Sequence, residues 1–404
     1  MTAPSRPITL VIRFREDPAW MGGSLYIEQV LHLLTLLPRA ERPRVKIRLV
    51  SSVETPFARR LASHPALRSP RDFSGSSSFA AWIEKKKRLA AKSLPFLGAL
   101  FQMHREVLFP VFEATKPWEN NLYWIPDFQH HHLPHLFSSE EIERKNRNIA
   151  SIARSRGTLL LSSHAALADF RRFHPSATVN TLVWQFTSPL RADFAHDPRS
   201  QLAAHALPEK FIYVANQFWK HKDHATLFEA LHLLRQKGIT IPTVCTGHTD
   251  DPRDPGYFAR LQSLIRNHDL EKQVSFLGII PRETQSALFR VAALVVQPST
   301  FEGWSTVIED SKALGRPIIA SDIAPHLEQL AGIPGARWFQ TGNATSLAET
   351  LAAAWPEATP GPDLTAESLA ARRNNQRMNE AAKEFGQALE TTCFNFHNHR
   401  RINS

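Results

Sequence analysis

Cysteine is nearly absent from this sequence, with two in 404 residues, Cys245 and Cys393. They lie far apart and form no metal-ligand spacing, so each is expected to be a small buried hydrophobe in a reducing cytoplasm. No run of about 18 apolar residues occurs, which argues against a membrane-spanning helix. The opening stretch, MTAPSRPITLVIRFRED, enters a strand almost at once and lacks the pattern of a cleavable signal peptide. Helix-turn-helix, zinc-finger and aromatic RNA-binding signatures are also missing. The net charge of +10 therefore implies an anionic partner without pointing to a specific nucleic acid. The acidic run Thr249 to Asp254 contains no Asp-x-Asp triplet and reads as a surface loop.

What is present fits an ordinary globular chain. A hydrophobic fraction of 43% supports normal cores, and the length is that of two domains of about 200 residues each. The composition places a first domain at 1–207, a second at 208–364, and a C-terminal helix over 365–404. Ile8 to Phe14 reads as a parallel-type strand, followed by Met21-Gly22-Gly23-Ser24 and a helix-spaced apolar run. Gly22 and Gly23 fit either a glycine-rich loop or a helix start. Further strands are expected at Val45 to Val50, Asn121 to Ile125 and Thr158 to Ser162, with Ser163 capping the next helix. The densest basic cluster, Lys85 to Arg88 with Lys92, is interleaved with Leu89, Leu94 and Phe96. It is either a solvated helix face or a peripheral contact with an anionic membrane.

The second half offers the sharpest signal. Ala292 to Val296 (AALVV) reads as a buried parallel strand, and a helix is expected beyond it. Between them stand Glu302, Gly303, Trp304, Ser305 and Thr306. In an open α/β sheet such loops converge where ligands bind, outside the carboxyl ends of the strands. Backbone N–H groups at the helix start favour a phosphate, glycine permits close approach, and carboxylates accept hydrogen bonds from sugar hydroxyls. The pattern suggests a nucleotide-sugar site.

Phe301 to Ile323, FEGWSTVIEDSKALGRPIIASDI, resembles the donor motif of retaining glycosyltransferases of family 4, which have the GT-B fold: two doubly wound Rossmann-like α/β domains facing across a cleft. Glu302 matches the first of the family's two glutamates, and Gly315, Pro317, Ile318, Ile319, Ser321 and Asp322 fall in place. The second glutamate's position holds Asp310, with Glu309 one residue earlier. The resemblance implies that Glu302 binds the donor sugar's hydroxyls and that Asp310 or Glu309 binds the ribose. Lys222 matches the family's diphosphate lysine. The arginine expected five residues before it is Gln217, which lacks the charge and fork of a guanidinium; Lys220 is a candidate to compensate.

Ile125 to Phe137, IPDFQHHHLPHLF, holds His130, His131, His132 and His135, whose consecutive placement sends them in divergent directions and disfavours a metal site. Asp127 to His130 resembles the family's cleft-facing loop, with Pro126 where a histidine is usual, so His130 or Asp127 is a candidate contact to the transferred sugar or acceptor. The resemblance implies a cytoplasmic enzyme, without cofactor or metal, that moves a hexose from a nucleoside-diphosphate sugar to a glycan or lipid-linked acceptor in cell-surface polysaccharide synthesis. The EGWST and NQFWKHK segments resemble mannosyltransferase-like members and favour GDP-mannose. A nucleotide-sugar epimerase and an inactive anion-binding scaffold are the alternatives.

Overall fold

The computed structural model describes residues 8–15, 21–49, 55–74, 106–114, 120–190, 192 and 197–402. The basic cluster at Lys85 to Lys92 lies outside them. In chain order the first domain comprises β1 (Thr9–Phe14), α1 (Met21–Leu36), β2 (Arg44–Leu49), α2 (Pro56–Ala62), β3 (Phe73–Ser74), β4 (Glu106–Val111) and β5 (Asn121–Ile125). It continues with α3 (Gln129–His132), α4 (Ser139–Ala153), β6 (Thr158–Leu161), α5 (His164–Phe173) and β7 (Asn180–Val183). The strands form one sheet in the order β3-β2-β1-β4-β5-β6-β7. Every pairing in it is parallel. Helices cover both faces of such a sheet, which is why β1, β5 and β6 read as near-continuous apolar runs.

A connection carrying the short α6 (Ser200–Ala204) leads into the second domain. This holds β8 (Ile212–Ala215), α7 (His224–Gln236), β9 (Thr243–Thr246), α8 (Tyr257–Asn267), β10 (Val274–Phe276) and α9 (Arg282–Val291). Then come β11 (Leu294–Gln297), α10 (Thr306–Ala313), β12 (Ile318–Ser321), α11 (Ala324–Leu330), β13 (Ala336–Phe339) and α12 (Ala344–Ala354). Its parallel sheet runs β10-β9-β8-β11-β12-β13. Strand order reverses between β1 and β4 in one sheet and between β8 and β11 in the other, so each has a switch point where loops diverge and leave a crevice.

Local chemistry sets the helix starts. Ser163 caps α5 through its side chain, and Ser138 opens α4 in a reciprocal capping box with Glu141. Asp223 caps α7 from a left-handed backbone conformation at φ 51°.

The last helix, α13 (Leu364–Ile402), ties the domains together. Its Met378, Ala381, Phe385 and Leu389 are buried in the first-domain core with Leu10, Val30, Leu34 and Phe109. Trp184 Nε1 donates to the Ala381 carbonyl at 2.9 Å. At its other end, Glu367 forms a buried two-pronged pair with Arg290 of α9, both contacts 3.0 Å. The helix thus packs on one domain and is pinned by charge to the other. None of the described helices is long and apolar enough to cross a membrane.

Candidate active site

The carboxyl ends of both sheets face one cleft of about 1210 Å³. From the first domain it is lined by Asp127 and His130 after β5 and by Lys145 of α4; from the second, by Gln217 and Lys222 after β8 and by Glu302, Gly303 and Thr306 after β11.

Glu302 is anchored from two sides. Its Oε1 accepts from Lys222 Nζ at 2.6 Å and from Gln297 Nε2 at 2.8 Å. Gln297 is fully buried at the end of β11, and the same amide also bonds the hydroxyls of Ser299 and Ser305. Its own oxygen accepts from Asn216 Nδ2 at 2.6 Å, so β8 and β11 are joined just below the ion pair. A charge-assisted contact of this length, with its carbonyl-side support, fixes both charged heads at the cleft floor.

Gly303 marks a contact between the walls. A Cβ there would stand 2.2 Å from the Pro126 carbonyl oxygen and 2.9 Å from Asp127 Cβ, so only glycine fits without movement. Other cross-wall ties surround it. Arg253 donates to Gln129 Oε1 at 2.9 Å, and the His132 and Phe301 rings lie 5.3 Å apart. The Glu328 carboxylate of α11 accepts from the first N–H groups of α5, His164 at 2.9 Å among them, where the helix dipole favours an anion.

The two candidate ribose acids face different ways. Asp310 lines the cleft, and its Oδ1 accepts from Ser188 Oγ at 2.6 Å and Arg282 Nη2 at 2.7 Å. Burial alone would depress the Arg282 guanidinium, but Asp310 more than offsets this and holds it above its ordinary value. Glu309 is buried behind the cleft, where its Oε1 accepts from Lys312 at 2.8 Å and Gln329 at 3.0 Å.

Electrostatics on the first-domain side are set by burial. Asp127 is pushed above the usual carboxylate range by desolvation, opposed by the Gln129 N–H and by the charge of Lys145. His130 falls to about 4, chiefly through burial, so its ring is neutral near pH 7 and bonds Asn146 at 3.1 Å. The other histidines diverge: His131 stacks on Phe173 at 4.0 Å and His132 meets Asp169 at 2.6 Å.

Several expectations change in three dimensions. Of the two readings of Gly22 and Gly23 the helix start holds, since both lie in the first turn of α1; Gly22 borders the cleft and Gly23 is buried. Lys220 is exposed and does not line the cleft; its backbone N–H donates to Asp251. Ser305 is buried, its hydroxyl capping α10. Trp304 borders the cleft but is largely buried, its indole N–H bonding the Phe186 carbonyl at 3.1 Å.

The acidic run Thr249 to Asp254 is no simple surface loop. Asp251 is buried, and Arg253 lies over the Trp219 ring and reaches His221 and Gln129. Arg253, Arg282, Lys145 and Gln297 were all missed from sequence. Only Gln297 carried a signal, as a polar residue closing a buried strand.

Two Rossmann-like domains with their strand ends turned to one cleft make this a GT-B fold. Residues 199–357, most of the second domain, match the family model of glycosyl transferases group 1. A crystal structure of Anabaena HepE in complex with UDP and glucose superposes with TM-score 0.66 at 14% identity, covering 95% of this chain and 100% of that one. A glycosyltransferase from Rickettsia africae ESF-5 gives 0.61 at 14%, covering 98% of each chain. WaaG, a glycosyltransferase involved in lipopolysaccharide biosynthesis, gives 0.59 at 12%, covering 96% and 98%. The search of curated proteins finds no match.

Proposed function

We propose that the chain is a retaining glycosyltransferase that moves a hexose from a UDP-sugar to a glycan or lipid-linked acceptor, without a metal or cofactor. The observation that carries this reading is the Lys222–Glu302 pair on the cleft floor, 2.6 Å long, beside the start of α10. Breaking the bond from sugar to diphosphate builds negative charge on the leaving group. Lys222, released from Glu302 as the donor enters, and the N–H groups at the head of α10 meet that charge. The Glu302 carboxylate then turns to the sugar's hydroxyls, held in place by Gln297. Asp310 faces the side where a ribose would lie. Ile279, 63% exposed on the cleft lip, offers apolar surface to a base.

The nucleotide preference draws on the comparison proteins. HepE is crystallised with UDP and with UDP-glucose, which favours UDP over the GDP-mannose expected from the EGWST segment. Retention and the identity of the hexose rest on the motif's resemblance alone. Titration of the protein with UDP, GDP and ADP in a thermal-shift assay tests the reading. UDP at a hundred times its dissociation constant is expected to add about 2.7 kcal/mol of stability. Lys222→Ala should abolish that shift at the same concentration and lower transfer about 10²- to 10³-fold. A protein that responds to none of the diphosphates does not have this function, and sugar isomerisation without an acceptor would make it an epimerase.

A further inference from the structure

We propose that the first-domain wall of the cleft is an acceptor subsite for a saccharide bearing a carboxylate or phosphate, held by Lys145 and Arg144. The inference rests on the glycosyl-transfer reading and gives its acceptor a chemical class. Both side chains project from α4 into the cleft. That helix is rigidly placed, by the Ser138–Glu141 capping box at its start and by the Asn146 bond to buried His130. Lys145 is half-buried, its Nζ 5.5 Å from the Phe137 ring centroid, and Arg253 Cζ lies 5.6 Å from the same ring.

Two cations of this wall stand outside its ion pairs. Glu28 is paired with Arg60 at 2.7 Å, and Glu141 turns back to the Ser138 N–H at 3.0 Å. On the second-domain wall Asp251 holds Arg253 and Lys222 holds Glu302. Asp127 acts on Lys145 only through space. His130 is neutral and contributes no charge. Lys145 and Arg144 therefore have no ion pair with any described residue, and the nearest acids, Asp127 and Glu141, bond only backbone N–H groups. Cations that line a cleft without a salt bridge are free to form charge-assisted hydrogen bonds to an anionic ligand. Lys222 already serves the donor from the opposite wall, so the anion belongs to the second substrate.

The test titrates UDP-saturated protein calorimetrically with glucuronic acid, glucose 6-phosphate and glucose, in the wild type and in Lys145→Gln and Arg144→Gln. Both variants change cleft-lining positions of α4 whose side chains make no hydrogen bond to a described residue, and should keep the fold. At least one anionic sugar is expected to bind about ten- to a hundredfold more tightly than glucose, and to lose about tenfold in Lys145→Gln. Preference for glucuronic acid marks a carboxylate acceptor; preference for glucose 6-phosphate marks a phosphorylated one. The proposal is overturned if neither anion binds better than glucose, or if both variants leave anion affinity unchanged. It is equally overturned if Lys145→Gln weakens UDP itself tenfold, which would assign Lys145 to the donor. UDP binding by the wild type is read first in the same titration. Its failure sinks the glycosyl-transfer reading instead.

Discussion

The two walls of the cleft are built on the same kind of sheet but held in opposite ways. On the second-domain wall nearly every charged side chain is fixed by another: Glu302 by Lys222 and Gln297, Asp310 by Ser188 and Arg282, Glu309 by Lys312 and Gln329. On the first-domain wall Lys145 lies over the Phe137 ring and, like Arg144, has no ion pair to a described residue, while the Asp127 carboxylate bonds only a backbone N–H. A wall whose polar groups satisfy one another is preorganised for a defined ligand and costs little to order on binding. A wall whose charged groups are unpaired takes its definition from what it binds. The difference fits the proposed roles, a donor side fixed in advance and an acceptor side that sets selectivity.

The walls touch at Gly303, and the largest effect is expected there. A methyl group 2.2 Å from the Pro126 carbonyl must push the walls apart. Gly303→Ala should therefore lower kcat/KM for transfer about 10²-fold, since a shift on the ångström scale between reacting groups costs that much. UDP affinity should stay near wild type, because the contacts proposed for the nucleotide lie on one wall. Steady-state kinetics beside a UDP titration separates the two. A variant with wild-type turnover would show that the walls need not meet for reaction.

The same contrast explains what the sequence discloses. The second-domain wall comes from contiguous strand–loop–helix pieces, so Glu302, Gly303 and Lys222 can be found by their distance from a buried strand. The direction of each acid on α10 was not legible. Asp310 and Glu309 are neighbours about 100° apart on a helix, and only the packing of Gln329 and Arg282 decides which one meets the cleft. Lys145 sits mid-helix, in a stretch that reads as an ordinary charged face. Arg253 was hidden in an acid- and proline-rich run that looks solvated, because burial of Asp251 depends on backbone groups from residue 220. The first-domain glycines left two readings open for the opposite reason. Gly22-Gly23 has the composition of a loop, yet the apolar run behind it extends the helix back to Met21.

Acid should weaken both domains next. In the second domain, burial lowers His224 to about 3 and His326 to about 4, and neither ring nitrogen of His224 has a hydrogen-bond partner among the described residues. In the first domain, burial likewise lowers His130 to about 4. A depressed histidine contributes stability that is fully present above its unfolded value near 6.5 and is lost as pH falls toward the folded one. By pH 5 a histidine of the His224 kind costs about 2 kcal/mol. Asp223 works the other way. Burial raises it to about 6, so its unfavourable charge is relieved as pH falls through that value, offsetting part of the loss. Urea melts at pH 7 and pH 5 should show a clear loss of stability, and His224→Leu should shrink it by roughly one histidine's share. An undiminished loss in the variant would mean that His224 is not the titrating group.

The smallest expected effect tests how the second-domain wall divides its two acids. Asp310 is one methylene shorter than a glutamate at the same place, and its Oδ1 already holds Ser188 and Arg282. If it faces the ribose, Asp310→Asn should weaken UDP about tenfold, near 1.4 kcal/mol, by removing a charged acceptor from neutral hydroxyls. Uridine should lose the same factor, because the contact is to the sugar of the nucleoside. Lys222→Ala, by contrast, should weaken UDP and leave uridine unchanged. Glu309→Gln points away from the cleft toward Gln329 and Lys312, so it should leave both ligands within about twofold of wild type, under 0.5 kcal/mol. The opposite outcome, nucleotide affinity lost in Glu309→Gln and kept in Asp310→Asn, would mean that α10 rotates or the walls close on binding. The hydrogen bonds that now hold Asp310 would then belong to the resting state alone.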